Sequence, residues 1–300
     1  MVNQRRKQKL GEPAAALAFL GPFLVVLLVF KLWPLLYALY LSFHSYDLFS
    51  PPRPVGVGNY AYLLKQSDFW ISLQNTALYT LVVVTCQTIL SFFLALMMDQ
   101  KIRGKAFFRT AFFLPSVTSS VAISLIFMFM FFKNGILNQA LGAVGLDRLL
   151  GAAGLHPPVD WLGDTRTALP TIMVQNIWST SGFFMIVFLA GLQDIPESLY
   201  EAARVDGATG WQQLWHITLP SLRPTTFYVV TMGLIGCFQV FDQVYIMTEG
   251  GPLKATLTTA YLVYKEAFGN FDMGYACAIA FVLAAIVFLC TAVQRRFMER

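Results

Sequence analysis

Charge is scarce in this chain. Only 12% of its 300 residues are Asp, Glu, Lys or Arg, about half the share that soluble domains carry. Histidine is scarcer, and His44, His156 and His216 are scattered. None has a serine, cysteine or carboxylate beside it in a recognisable motif, so no catalytic set is present and an enzyme is not expected. The four cysteines, Cys86, Cys237, Cys277 and Cys290, lack metal-ligand spacing and fall inside apolar runs, where they read as small packing residues. The glycine-rich stretches contain no GxxxxGK[ST] loop to cradle phosphates, so ATP hydrolysis must belong to another chain. The net charge of +5 comes from short basic clusters beside apolar runs. That is a topology signal, not a nucleic-acid patch.

What takes the place of charge is apolar length. Hydrophobic residues make up 57% of the chain, in continuous runs without period-2 alternation. Runs of eighteen or more such residues read as membrane helices, since about 20 residues of helix cross the hydrocarbon core. Six spans are expected, near 17–43, 74–98, 108–132, 168–192, 224–247 and 273–294. The fold class is therefore all-α integral membrane, with a tail over 1–16, a transmembrane domain over 17–294 and a second tail over 295–300. Lys31 and Pro34 interrupt the first span. Its apolar run is far longer than the core of a cleaved signal, so it reads as a retained helix.

Basic residues fix the expected orientation. One side holds 13 of them: Arg5, Arg6, Lys7, Lys9, Lys101, Arg103, Lys105, Arg109, Arg204, Arg223, Arg295, Arg296 and Arg300. The other holds 7: Arg53, Lys65, Lys133, Arg148, Arg166, Lys254 and Lys265. The positive-inside rule then places both termini in the cytoplasm. The outer segments 44–73, 133–167 and 248–272 are too short for a separate domain. "TEGGP" in the last of them reads as a turn made by glycine and proline.

The polar stretch 194–224 thus becomes a cytoplasmic loop between spans four and five. It reads as two short helices joined by a bend. Asp194 with Glu197, and Thr209 with Gln212, have capping-box spacing; Gly207 can stop the first helix; Pro220 and Pro224 close the second. Small residues around Ala202 and Ala203 allow another backbone to approach, which suits docking into a partner's groove. The competing reading is a helix lying on lipid. Asp194, Glu197, Glu201 and Asp206 argue against it, because anionic headgroups would repel them.

Polar side chains inside spans are costly unless they face protein or water. Ser116 and Ser120 lie four apart; Asn176, Thr180 and Phe183 share a helical face; Gly233, Cys237 and Val240 form a stripe with Gln239 and Asp242 close by. Hydroxyls, amides and aromatic faces suit a sugar. For a single serine or threonine, back-bonding to its own helix is the competing explanation.

"EAARVDGATGWQQLWHITLP" resembles the EAA loop of ABC importer permeases, with Glu201, Ala202, Ala203, Gly207, Ile217, Leu219 and Pro220 filling the pattern. "RGKAFFRTAFFLP", "GLQDIPESLYEAARVDGA" and "FDQVYIMTEGGP" are similar to the maltose, glycerol-3-phosphate and oligosaccharide permease group. The resemblance covers roughly 15–295. It implies a multi-pass subunit of a prokaryotic inner membrane, importing a sugar-like solute delivered by an extracytoplasmic binding protein. It implies a second homologous permease, forming a hetero-dimer, and an ATPase dimer that binds ATP and Mg, with no cofactor in this chain. Coupling to the ATPase would fall on Glu201, Ala202, Ala203, Asp206, Gly207, Ile217, Leu219 and Pro220. Alignment with the maltose permease carries its sugar contacts onto Ser116, Ser120, Asn176, Thr180, Phe183, Gly233, Cys237, Val240 and Asp242, where several side chains differ. The second reading is an ion-coupled carrier using Asp242 or Lys31.

The topology has a direct test. Cysteines placed at Asn3 and Glu299 are expected to stay unlabelled by a membrane-impermeant maleimide in intact cells; labelling of either reverses the orientation.

Overall fold

Backbone N–H and C=O groups find no water in hydrocarbon, so a chain this apolar folds as helices that satisfy their own backbone. The computed structural model describes residues 19–100, 103–146 and 155–298, with 16 and 151. The tail bearing Arg5, Arg6, Lys7 and Lys9, the residues Lys101 and Arg148, and Arg300 lie outside the described residues.

Two structural units are recognised, 1–65 with 265–281, and 66–264 with 282–300. In the first, helix α1 (Phe19–Ser42) is apolar and its central window is unburied, as a lipid- or partner-facing helix would be. Its Leu28–Leu32 turn is a π-helix directly before Pro34. A proline ring cannot donate and clashes with the carbonyl four residues back, and the wider turn accommodates it. Past α1, a two-stranded antiparallel ladder pairs His44 with Pro54 and Ser45 with Arg53. The Asp47 carboxylate accepts from the backbone N–H groups of Ser50 (2.7 Å) and Phe49 (3.1 Å), and the Ser50 bond above all holds it below the usual carboxylate range. Asn59 donates to the carbonyls of Ser42 and His44, and a Cβ on Gly274 would strike that His44 carbonyl.

In the second unit, α2 (Ser67–Asp99) has 33 residues, about 50 Å of helix, more than the hydrocarbon core requires. Its buried positions include Phe69, Ser72, Thr76, Tyr79, Val83, Gln87, Ser91, Ala95 and Met98. These recur every three or four residues, so one stripe faces inward, and several are small or hydroxylated. Small and polar residues let membrane helices approach closely and bond across the contact. The partner is α3 (Ala168–Gln193), and Ser91 Oγ donates to Ser181 O at 2.9 Å. A core of Ala95, Met98, Phe184, Met185, Phe188, Leu189, Leu192, Leu222 and Val229 closes one end.

Two expected spans differ from the sequence reading. The one near 108–132 is a helix pair, α4 (Lys105–Val117) and α5 (Ser120–Phe131), bent by 99°. The one near 224–247 is α6 (Arg223–Phe238) and α7 (Asp242–Met247) with a break between them. At 16 residues, α6 is about 24 Å long and falls short of a full crossing. Four described helices are continuous and apolar enough to cross, the fourth being Met273–Arg296, and the bent pair makes a fifth.

Helix α3 receives α4 at Gly182, where a Cβ would collide with Phe112 O. Replacing Gly182 with Ala should separate these helices and cost about 1–3 kcal/mol. Thermal unfolding of the detergent-purified protein would show a lowered Tm, and an unchanged Tm would refute the close approach.

Candidate functional site

The two helix breaks create the site. Pro115 leaves a carbonyl without its helical donor, and Thr118 and Ser119 turn extended. The bend's carbonyls are then satisfied locally. Ser116 Oγ donates to Phe113 O (2.6 Å), Thr118 Oγ1 to Leu114 O (2.8 Å), and Thr118 N to Pro115 O (3.3 Å). At the second break, α6 ends at Phe238 and α7 restarts at Asp242, while Val240 O accepts from Thr258 Oγ1 at 3.1 Å. Non-helical backbone at membrane depth is tolerated where it is buried in protein or lines a cavity. Both breaks do so.

A cavity of about 300 Å³ lies beside the α4–α5 bend. It brings together four of the expected path residues, Ser116, Ser120, Thr180 and Phe183, with Gln175, Ser179 and Gln243. A second cavity of about 270 Å³ lies at the α6–α7 break and holds three more, Asn176, Val240 and Asp242, with Gln239 and Phe241. Gln243 lines both. Gly233 and Cys237 line neither and are buried. Gly233 is a packing point, because a Cβ there would strike Gln87 Nε2 on α2.

Sequence reasoning missed Gln87, Gln175, Ser179 and Gln243. Gln87 is almost fully buried, and its Oε1 accepts from Thr180 Oγ1 at 2.7 Å. It therefore positions a cavity hydroxyl from another helix. Its polarity amid "VVVTCQTIL" was the available signal, since an amide in a span requires a partner. Back-bonding accounts for Ser116, and Thr180 also reaches Asn176 O at 2.8 Å. The side-chain oxygens of Ser120, Gln175 and Asn176 are buried with no protein partner.

The loop 194–224 is a built module. Helix α8 (Glu197–Val205) ends at Gly207, φ +80°, with Ala208 N bonded to Ala203 O and Gly207 N to Arg204 O. That pair of bonds is a Schellman cap, which favours a glycine. Thr209 and Gln212 form the expected capping box. The expected box at Asp194 is absent: Asp194 is the C-cap of α3, and Pro196 precedes α8 without a side-chain cap. A carboxylate just past α3 keeps that helix's last turn instead. Pro220 also does not end the second helix. A π-turn, Leu214–Thr218, precedes it and the helical run continues over Leu219–Ser221, as at Pro34.

Tyr200 and Thr218 hydroxyls join the two helices at 2.9 Å. Between the helices lies a groove of about 350 Å³ lined by Ala203, Asp206, Gly207 and Ile217 among others. Glu201, Ala202 and Pro220 are exposed, and Leu219 is half-buried. Val205, Trp211 and Trp215 are exposed at 88%, 68% and 53%.

The sequence profile described as "Binding-protein-dependent transport system inner membrane component" matches residues 87–300. This chain belongs to that family. It is an ABC importer permease, a membrane transport component and not an enzyme, and the ion-coupled carrier reading falls. The probable ABC transporter permease protein YurN of Bacillus subtilis is 39% identical over 94% of each chain. The lactose transport system permease protein LacF of Rhizobium radiobacter is 34% identical, covering 92% of this permease and 91% of LacF. A bacterial ABC transporter crystal structure, involved in the import of the acidic polysaccharide alginate, shares the fold with a TM-score of 0.82 over 99% of each chain at 24% identity.

The Gly207 cap separates folding from docking. A Cβ at Gly207 meets nothing within 4 Å, so Gly207→Asp costs the permease only the left-handed backbone penalty, about 1–2 kcal/mol. The variant should insert and purify, yet abolish transport because a partner needs that space. Near-normal uptake would overturn the docking role.

Proposed function

We propose that this permease forms one half of the path of an ATP-driven importer for a sugar or sugar-like solute. Solute delivery falls to an extracytoplasmic binding protein, and a second, different permease completes the path. ATP and Mg are held by two partner ATPase subunits, whose closure switches the path between outward and inward access. The lactose permease relative supports the sugar reading. In this reading six crossings are made by α1, α2, the α4–α5 pair, α3, the broken α6–α7 element and the final helix, with both termini cytoplasmic.

The observation that carries the proposal is the loop. It is held internally by a Schellman cap, a capping box and the Tyr200–Thr218 bond. It nevertheless presents Val205, Trp211 and Trp215 to the outside. A rigid element with unpartnered large apolar side chains is suited to a preformed cleft. Glu201, Ala202, Ala203, Asp206, Gly207, Ile217, Leu219 and Pro220 are assigned to that contact.

Glu201 tests where force enters. An exposed ion pair contributes under about 1 kcal/mol, whereas removing one partner of a desolvated pair costs several. Enclosure in a cleft places Glu201 in the second class. Glu201→Ala should leave an assembled complex with residual ATPase activity, while transport and its stimulation by binding protein fall sharply. Loss of subunit affinity alone would make Glu201 an anchor; unchanged transport, stimulation and assembly would remove it from the contact.

A further inference from the structure

We infer that the solute is an uncharged saccharide, selected against phosphate- and carboxylate-bearing analogues by the acceptor-only electrostatics of Asp242, Gln175 and Asn176. The inference rests on the sugar-importer reading and narrows it. The resemblance group includes both neutral-sugar and glycerol-3-phosphate permeases, so the choice has to come from the cavities.

Three observations make it. First, no Lys, Arg or His lines either cavity, and the single ionisable lining residue is Asp242. Described basic residues of this unit sit at helix ends or in loops, as Lys105, Arg166, Arg223 and Lys254 do. An anion brought to membrane depth would lose its hydration without a counter-charge, which is strongly unfavourable, and would meet the Asp242 carboxylate besides.

Second, the buried atoms left without a protein partner include two amide oxygens, Gln175 Oε1 and Asn176 Oδ1. Gln175 is 1% exposed and Asn176 9%. These are acceptors, as is the Asp242 carboxylate at the first position of α7. A buried acceptor requires a donor. Saccharide hydroxyls supply donors, whereas ionised phosphate or carboxylate groups offer acceptors alone. A hydroxyl donated to a carboxylate is also among the stronger hydrogen bonds.

Third, each cavity carries an aromatic face. Phe183 lines one and is 42% exposed. Phe241 lines the other and is stacked on Tyr245, with ring centres 5.4 Å apart. Such faces suit the C–H surface of a sugar ring. A three-carbon phosphate has no ring to offer.

The permease–ATPase complex without its binding protein reads the permeases' own preference. We would measure equilibrium binding of radiolabelled lactose, maltose, sn-glycerol-3-phosphate and digalacturonate at millimolar concentration, for wild type, Asp242→Asn and Asn176→Leu. Expected is binding of a neutral disaccharide and not of either anion, weakened at least about tenfold in both variants, with ATPase copurification unchanged. Comparable binding of either anion, or wild-type affinity in both variants, overturns the inference while leaving the sugar-importer reading intact. Binding of none of the four overturns it too. Sugar uptake by the intact transporter, run in parallel, then decides whether the sugar-importer reading falls with it.

Discussion

An unpaired backbone amide or carbonyl costs several kcal/mol in hydrocarbon, and this constraint orders the permease. It forces unbroken helices wherever lipid is the surrounding medium. It tolerates non-helical backbone only where protein or water takes up the freed groups. The breaks at Thr118–Ser119 and Gln239–Phe241 meet that condition through Thr118, Ser116 and Thr258 hydroxyls. The same breaks release side chains from regular helical register. Ser116 and Ser120 face one cavity and Val240 and Asp242 the other. Breaking a helix and making a polar site are thus one structural event.

The frame around the breaks is set by the α2–α3 contact. Small residues on both helices bring the backbones close enough for Ser91 to bond Ser181 O, and Gly182 and Gly191 receive α4 and Thr225 of α6. Without a hydrophobic effect between helices in lipid, this close packing supplies the attraction. Gln87 belongs to the same logic. Its amide is costly in a span, yet it spans the gap to Thr180 and occupies the space that Gly233 leaves open.

Local signals made much of this legible in sequence. The spans near 17–43, 74–98, 168–192 and 273–294 were readable from apolar length, and the helix stop at Gly207 and the Thr209–Gln212 box from spacing, because each depends on adjacent residues. The bends were not legible, since apolar composition runs straight through them and Pro115 only hints at the first. Asp194 was misassigned for a related reason. Asp favours a helix start, but α3 persists to Gln193, and nothing in the local spacing distinguishes an end from a beginning. Gln175 and Gln243 escaped because a helical-face argument groups i with i+4, whereas a cavity at a break wraps around more than one face.

The same two helices that line the cavities also carry the loop. From Asn176, α3 runs to Gln193 and enters the loop at Asp194. Helix α6 leaves the loop at Arg223 and ends at Phe238, beside the second cavity. Leu192, Leu222 and Val229 sit in one core cluster with Phe188, so the two helices are clamped where they meet the loop. A core packed to that degree resists deformation. Displacing the loop must therefore move α3 and α6 as a body, and the distant ends of that body carry Asn176 and the Gln239–Asp242 break. An α-helix advances 1.5 Å per residue, so the seventeen residues between Asn176 and Gln193 place the site about 26 Å from the point where force enters. Transmission over that length follows from helix continuity, with the breaks at the far end supplying the compliance.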